Sequence, residues 1–283
     1  MTPGFVEGMP EKIYHADPCP TPSLSSGLVK MMDTTSMQKV RLAHPRLNPP
    51  PPGATDDDPK FDLGTAAHAL VLEGVSVAEK KVVEVSADSW RTKDARQHRD
   101  AAYAAGLTPL LTHQVESARK MVTAAHAFIA ESGLTEKWAE GQSELSGFWK
   151  EGDLWCRMRV DRMLPKVLVD LKTTGDASPE GFSRHIVKMG YHIQDAFYRR
   201  GAAALGMPDK PFLFLAIEDE FPHACAWHAC DGKLKAIGDA VVDKAIWRFH
   251  ECLRTGVWPG YGTEIHHASA PGWLAYKFEG GEA

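Results

Sequence analysis

The chain has 283 residues, of which 24% are charged and 43% are hydrophobic, proportions that are ordinary for a globular protein. Its formal net charge of −5 argues against nucleic-acid binding by overall positive charge, although it does not exclude a local basic channel. The sequence lacks a membrane-length apolar run and a secretory leader pattern, and its five scattered cysteines do not form a disulfide pattern. We therefore expect a cytoplasmic protein without membrane attachment.

The predicted elements start with an N-terminal segment over residues 1–60. Residues 28–40 have the pattern of a short helix, and residues 48–60 read NPPPPGATDDDPK. Consecutive prolines cannot continue a helix or a central strand, so we expect an exposed loop here. This loop separates the N-terminal segment, which we expect to pack on the core, from a domain over residues 61–260.

The core domain changes from helical spacing to a period of two and back again. Its predicted elements are, in chain order, a helix over 61–73, an extended piece over 75–85, two alanine-rich helices within 94–131, strands over 144–150, 154–164 and 167–173, helices from 178 and over 191–205, strands over 212–217 and 224–228, and a helix over 231–253. This order predicts an α/β (mixed α+β) fold, with a central mixed sheet flanked by helices and a tail over residues 261–283.

Two of these strands contain the most informative stretch, RMRVDRMLPKVLVDLK. If they form a hairpin that turns at Pro165-Lys166, residues whose numbers add to 331 lie opposite each other. Asp161 then faces Asp170, and Arg159 faces Lys172. Because side chains alternate along a strand, Asp170 and Lys172 share one face.

Two carboxylates side by side repel each other, and a divalent cation relieves that repulsion. Oxygen ligands of this kind suit Mg²⁺, with Mn²⁺ as a substitute. A nearby lysine could orient or help deprotonate the attacking water, which indicates metal-assisted hydrolysis of a phosphodiester. The alternative is a solvated strand face. However, the strand around Asp170 is almost entirely apolar, and charged side chains on a buried strand are costly unless they are used.

The set Asp161, Asp170-Leu171-Lys172 resembles the catalytic core of the PD-(D/E)XK nucleases, although Val160 stands where that name has proline. Further segments resemble, in the same order, the RecE-like (exodeoxyribonuclease VIII) exonucleases of phages and prophages, and the match covers residues 14–260. These segments are PSLSS at 22–26, HPRLNP at 44–49, FDLGTAAHAL at 61–70, VDLKTT at 169–174 and YHIQDAFY at 191–198.

The resemblance implies a role for each matching residue. Asp161 and Asp170 would bind one or two metal ions together with the backbone carbonyl of Leu171. Lys172 would activate or position the water. His68 would reach the same metal from a helix.

Three more residues match the family pattern, and each has a plainer alternative. Gln194 and Tyr198 match a Gln-x₃-Tyr element whose two members share a helix face, but they could be packing residues with hydrogen-bonded tips. Glu144 matches an acidic residue on the preceding strand, but it could simply pair with Arg159. Without the family pattern, His68 on an apolar helix is more often a core histidine than a ligand.

The function implied by the resemblance is Mg²⁺-dependent exonuclease activity on linear double-stranded DNA. Members of this family degrade 5′→3′ and leave 3′ single-stranded tails for a strand-annealing partner, as ring-like homo-oligomers such as trimers or tetramers, in the host cytoplasm. Two alternatives are a non-catalytic DNA-end-binding scaffold and an endonuclease or single-strand nuclease of the same superfamily.

Basic side chains are the candidates for DNA contact, with a solvated face as the equally weighted alternative. They are Arg91, Lys93, Arg96, Arg99, Arg159, Arg184, Lys188, Arg199 and Arg200. A second set resembles zinc ligands on paper, but residues two apart on a strand rarely converge as tetrahedral ligands, so we do not expect zinc there. This set is His223, Cys225, His228 and Cys230.

Overall fold

The computed structural model describes residues 1–48, 68, 70–72, 82–208 and 210–278. The predicted loop at 48–60 therefore lies outside the described residues except for Asn48, and only part of the predicted 61–73 helix is described, with residues 68 and 70–72 helical. All five cysteines are free thiols, as the sequence predicted. Across the described ranges, no helix combines the length and the apolar character needed to cross a membrane.

The helices and strands follow the predicted order closely. They are β1 (Gly4–Val6), α1 (Glu11–His15), β2 (Leu24–Ser25), α2 (Ser26–Thr34), α3 (Met37–Ala43), β3 (Val82–Val85), α4 (Lys93–Ala104), β4 (Thr108–Leu111), α5 (Thr112–Glu131), α6 (Thr135–Glu140), β5 (Gln142–Glu151), β6 (Leu154–Met163), β7 (Leu168–Thr174), α7 (Pro179–Lys188), α8 (Tyr191–Ala204), β8 (Phe212–Glu218), β9 (Cys225–His228), α9 (Gly232–Thr255) and α10 (Gly272–Phe278).

Local capping explains several helix boundaries. Ser178 accepts a hydrogen bond from the backbone N–H of Gly181, and Pro179 occupies the first position of α7, as its sequence predicted. The predicted helix over 28–40 is instead two helices. Ser36 interrupts it because its hydroxyl accepts from the N–H of Lys39 and starts α3.

The second difference lies between the two alanine-rich helices. We expected two alanine-rich helices within residues 94–131, but between them residues Thr108–Leu111 form β4, which pairs in parallel with β3 in a small two-stranded sheet. The apolar run Leu110-Leu111 is too short to be distinguished from a helix end by periodicity. A strand forms here because β3, distant in sequence, supplies its hydrogen-bond partners.

The main sheet has seven strands, in the order β1-β5-β6-β7-β8-β9, and β2 pairs in parallel with β6. Along the path from β1 to β9, neighbouring strands are antiparallel except for β7 and β8, which are parallel and are joined through α7 and α8. The fold is therefore the predicted mixed α/β arrangement with a central mixed sheet, and the structure shows that this sheet is mostly antiparallel. The N-terminal segment contributes β1 and β2 directly to this sheet.

Hydrophobic cores lie on both faces of the sheet. Along β7, Leu168 packs into the larger core with α2, α8 and α9, whereas Val169 and Leu171 pack into a smaller core that includes α5. This alternation places Asp170 and Lys172 on the same face as Leu168. The sheet thus presents two charged side chains towards α8, at the edge of the larger core.

Candidate metal and active site

Three carboxylates lie in a row across the central strands. On β5 and β6 the registered pairs Ser143↔Arg162 and Leu145↔Val160 bracket Glu144 and Asp161, so these two residues oppose each other. On β6 and β7 the pairs Arg162↔Val169 and Met163↔Leu168 have numbers that add to 331, which confirms the predicted hairpin register.

The predicted ladder does not continue beyond those two pairs, and the pairing of Arg159 with Lys172 is wrong. Moving away from the turn, β6 and β7 separate beyond Arg162. The hydroxyl of Tyr198 contacts the backbone groups of Arg159 that β7 leaves unpaired. It donates to the carbonyl of Arg159 at 2.9 Å and lies 3.4 Å from its N–H. Asp161 crosses the gap, because its Oδ2 accepts from the N–H of Leu171 at 2.8 Å.

His68 bridges two of the carboxylates from its helix. Its Nε2 lies 2.8 Å from Oδ2 of Asp161, and its Nδ1 lies 3.3 Å from Oε1 of Glu144. One ligand atom from each of the three residues lies within 4.8 Å of the others. Glu144 has a left-handed φ of 54°, a conformation that costs energy for a non-glycine residue and is found repeatedly at functional sites. The structure thus brings together the predicted His68 and the acidic residues.

Asp170 is the most buried acid of the row. Its Oδ1 accepts from Nε2 of Gln194 at 2.6 Å, and its Oδ2 contacts the ammonium group of Lys172. That Oδ2 atom is buried, so its charge is balanced by the Lys172 ammonium group rather than by water. Leu171 donates its N–H towards Asp161, and because the N–H and C=O of a strand residue point to the same side, its carbonyl also faces the gap.

The electrostatics show that the three acids are crowded. Burial, followed by repulsion from Asp161, raises the pKa of Asp170 to about 6 and also raises the pKa of Glu144. Burial would raise the pKa of Asp161 as well, but His68 and Lys172 hold it below its usual value.

The two cationic groups of the site respond to these carboxylates. Burial alone would lower the pKa of His68, but Asp161 and then Glu144 raise it to about 9. Burial would likewise lower the pKa of Lys172, but Asp170 and Asp161 raise it above its usual value. Protons on His68 and Lys172 thus balance negative charge that a divalent cation could balance instead.

The arrangement fits a hard divalent cation. It offers carboxylate oxygens and a facing backbone carbonyl, with an imidazole nitrogen beside them. The site is also partly open, since the side chain of His68 is 31% exposed and that of Lys172 is 18% exposed. A phosphodiester could therefore approach the metal position from solvent.

The predicted DNA-contacting residues fall into three groups. Arg159, Arg199 and Arg200 hold carboxylates of this chain, namely Glu144, Asp195 with Asp239, and Glu151 with Asp243. Such ion pairs within the chain indicate a mainly structural role for these three arginines. Arg91, Lys93 and Arg96 are exposed at the start of α4, where Arg99 pairs with Asp100, and Arg184 and Lys188 are exposed on α7.

The four residues that resembled zinc ligands are used otherwise. Nδ1 of His223 lies 3.0 Å from the carbonyl of Glu218, and Nε2 of His228 lies 3.1 Å from the carbonyl of Ala177. His228 also stacks on Phe182.

Sequence reasoning missed two residues beside the site. Tyr191 begins α8, and its ring contacts the ammonium groups of both Lys172 and Lys30. Tyr191 stood within a family-like segment without a role. Lys30 could have been noticed as a lone lysine between the apolar pairs of α2, but its proximity to Tyr191 is not visible from the sequence.

Comparisons with known proteins agree with this geometry. A family described as a PDDEXK-like domain of unknown function (DUF3799) matches residues 26–270. Among solved structures, a "Putative exonuclease" from Eubacterium rectale superposes with a TM-score of 0.61 at 12% sequence identity, over 98% of this chain and 100% of that one. At that identity the similarity shows the fold alone.

Two other comparisons add little. The structure of SSO0001 covers 72% of this chain and 97% of its own at 15% identity, but its TM-score of 0.27 carries no argument. No curated protein matches. The family match spans α2 to α9, including the carboxylate row, and it confirms the PD-(D/E)XK fold predicted from the Asp161, Asp170 and Lys172 pattern. The chain belongs to the DUF3799 family of PDDEXK-like domains.

Proposed function

We propose that this protein is a divalent-metal-dependent nuclease that hydrolyses phosphodiester bonds of DNA, with Mg²⁺ as the expected ion and Mn²⁺ as a substitute. The observation that carries the proposal is the convergence of Asp161, Asp170 and Lys172 at the point where β6 and β7 separate. A row of like charges costs stability, as the raised pKa values of Asp170 and Glu144 show, so its arrangement favours ligand binding over structural support.

The residues that would hold the ion are Asp161, Asp170 and the carbonyl of Leu171, with His68 and Glu144 completing the set. When bound, a divalent cation would supply positive charge to the phosphate oxygens and lower the pKa of water. Gln194 favours binding of the ion because it holds one carboxylate oxygen of Asp170 in place and leaves the other oxygen facing Lys172. Gln194 is therefore a positioning residue.

The remaining side chains orient the reacting groups. The ammonium group of Lys172 holds its proton between Asp170 and the open gap, where it can donate to the attacking water or to a phosphate oxygen. Tyr198 keeps β6 and β7 apart through its two contacts with Arg159. In hydrolysis, water would add to phosphorus, the P–O3′ bond would break, and a proton would pass to the leaving O3′ oxygen.

The finer proposal is exonuclease action from the ends of linear duplex DNA, in the 5′→3′ direction, to give 3′ tails for a strand-annealing protein. It is supported by the ordered resemblance to RecE-like exonucleases over residues 14–260. The same resemblance supports a ring-like trimer or tetramer in the cytoplasm of a bacterial host. It runs to residue 260, which is the proposed end of the nuclease domain. Residues 1–60 remain the proposed N-terminal segment packed on that domain, and β1 and β2 join this segment to its sheet.

The test uses end-labelled linear duplex DNA with and without Mg²⁺, beside a covalently closed circle. We expect Mg²⁺-dependent release of mononucleotides from the 5′-labelled end while the circle stays intact. The matched variants are Lys172→Ala, which should lose hydrolysis, and Lys166→Ala in the exposed turn of the same hairpin, which should keep it. Cleavage of the circle would identify an endonuclease. Binding of DNA without any cleavage would identify an end-binding scaffold and contradict the proposal.

A further inference from the structure

A second lysine faces the candidate active site from a different element. Lys30 lies on α2 and is half-buried, and its Nζ is 5.5 Å from the centre of the Tyr191 ring. Nζ of Lys172 is 4.7 Å from the centre of the same ring. The two ammonium groups are therefore no more than about 10 Å apart, a separation that neighbouring phosphates of one nucleic-acid strand could span.

The two lysines differ in how their charges are compensated. Lys172 contacts Oδ2 of Asp170, whereas no carboxylate among the described residues forms an ion pair with Lys30. Burial, and then repulsion from Lys172, lowers the pKa of Lys30, and attraction to Asp170 only partly offsets this. An uncompensated, partly buried cation beside another cation is unfavourable unless an anion joins them.

The fold also restrains Lys30 in this position. Gly190, in the turn between α7 and α8, has a left-handed φ of 64°, and a Cβ there would lie 3.3 Å from Cδ and Cγ of Lys30. The turn thus packs closely on the aliphatic stem, and Tyr191 follows it directly. A side chain held in this way loses little conformational entropy when it binds a ligand.

Other basic groups extend the same side of the site. The ring of His185 lies 5.5 Å from that of Tyr191, and burial followed by the charges of Lys188 and Lys172 lowers its pKa. Lys188 is exposed one turn further along α7. A polyanionic strand approaching over α7 would therefore meet Lys188 first, and Lys30 and Lys172 at the site itself.

We propose that Lys30 binds a phosphate group of the nucleic-acid strand held at the acidic site, next to the phosphate that contacts Lys172. Lys30 would thus be a substrate contact of the proposed nuclease. This role rests on the proposed function only because it requires a phosphodiester strand as ligand. Lys30 acts through charge, and Tyr191 serves as the apolar floor on which both ammonium groups lie.

The test measures the affinity of the full chain for a fluorescent linear duplex oligonucleotide in EDTA, over a series of salt concentrations. For Lys30→Met we expect binding about tenfold weaker than wild type at low salt, as for loss of one charged contact. The slope of log affinity against log salt should also fall by about one. Lys30→Arg should keep the slope. Lys39→Met, an exposed lysine on α3, is the matched control and should match wild type.

Thermal melting separates a binding role from a packing role. Removing one of two repelling cations should leave the melting temperature of Lys30→Met equal to or above that of wild type. A lower melting temperature with an unchanged salt slope would show that Lys30 only packs and would overturn the proposal, as would wild-type affinity in Lys30→Met or absence of DNA binding by the wild type. If the salt slope depends on Lys30 but the protein releases no nucleotide with Mg²⁺, the proposed nuclease function would be wrong. The proposed phosphate contact of Lys30 would then still hold.

Discussion

Strand β6 holds together two buried polar clusters that differ in how many carboxylates they place side by side. The N-terminal cluster consists of Asp17, Ser23, His44 and Arg157. The acidic site consists of Glu144, Asp161 and Asp170 with His68 and Lys172. Both contain a histidine beside an aspartate and a cation beside an aspartate, so their side-chain composition alone does not distinguish them.

In the N-terminal cluster, both carboxylate oxygens of Asp17 are occupied. Oδ1 accepts from the hydroxyl of Ser23 at 2.7 Å and lies 3.3 Å from Nη1 of Arg157, and Oδ2 accepts from the N–H of Ser23 at 2.8 Å. His44 is held as a neutral imidazole, because its Nδ1 accepts from the N–H of Arg46 while its Nε2 lies 3.1 Å from the carbonyl of Ser23.

In the acidic site, three carboxylates are crowded together. Both nitrogens of His68 lie next to carboxylates, which raises its pKa to about 9 although burial opposes this, and repulsion from Asp161 adds to burial in raising the pKa of Asp170 to about 6. A buried aspartate held by its own hydrogen-bond donors supports a fold, whereas carboxylates crowded beside one another gain from a bound cation. The comparison therefore predicts that one cluster fails in stability when mutated and that the other fails in activity.

The largest expected effect on stability is that of Asp17→Ala. The substitution leaves Arg157, which is 4% exposed, without its carboxylate, and it places alanine at a left-handed φ of 61°. We expect the free energy of unfolding to fall by about 3–5 kcal/mol, as for a broken buried ion pair. Chemical denaturation measures this, with Asp33→Ala on the exposed side of α2 as the control. Equal stability of the two variants would contradict the comparison.

The next largest expected effect is a loss of activity without a loss of stability. Asp170→Asn removes a crowded charge, so the protein should remain as stable as wild type or become more stable, because burial and Asp161 raise the pKa of that carboxyl to about 6. Hydrolysis should fall on the order of 10²–10³-fold, the range for loss of a central electrostatic group. Parallel melting and nucleotide-release assays measure both, and an active Asp170→Asn would exclude this site as the catalytic one. Asp239→Asn, a more exposed aspartate, is the control.

A smaller loss of activity is expected for Gln194→Ala. Gln194 touches Oδ1 of Asp170 and would not touch the substrate, so its removal should cost on the order of 10–100-fold, as for groups that orient metal ligands. Because its role is to position Asp170, higher Mg²⁺ should recover part of the rate. A rate loss that no Mg²⁺ concentration relieves would point to direct participation in the chemistry.

The smallest expected effect concerns the pH dependence of stability. Burial lowers the pKa of His44 despite the attraction of Asp17, so below its ordinary pKa the unfolded chain binds a proton that the folded chain does not. Wild type should therefore lose stability through this group as the pH falls from about 7.5 to about 5.5, on the order of 1 kcal/mol. His44→Gln should remove that component, so its unfolding energy should fall less over the same interval. Parallel curves for the two proteins would show that His44 does not titrate differently on folding.

The sequence by itself was sufficient to predict the hairpin and the acidic pattern that identifies the fold. The proline-containing turn and the period of two predict pairing between residues whose numbers add to 331. The apolar run around Asp170 predicts that Asp170 and Lys172 lie on a buried strand, where charged side chains are unusual. These are local properties, set by strand alternation and turn composition within a single hairpin. Capping residues such as Ser178 were readable for the same reason.

Tertiary structure alone decided which distant groups complete the site. The separation of β6 from β7 depends on the hydroxyl of Tyr198, and the formation of β4 depends on β3. Two further contacts join residues on separate elements, namely the ion pair of Arg159 with Glu144 and the approach of Lys30 to Tyr191. Periodicity reports which face of an element is apolar, but it does not report which elements pack together. Those contacts are selected by the packing of the whole core, in which each side chain occupies the space that the others leave.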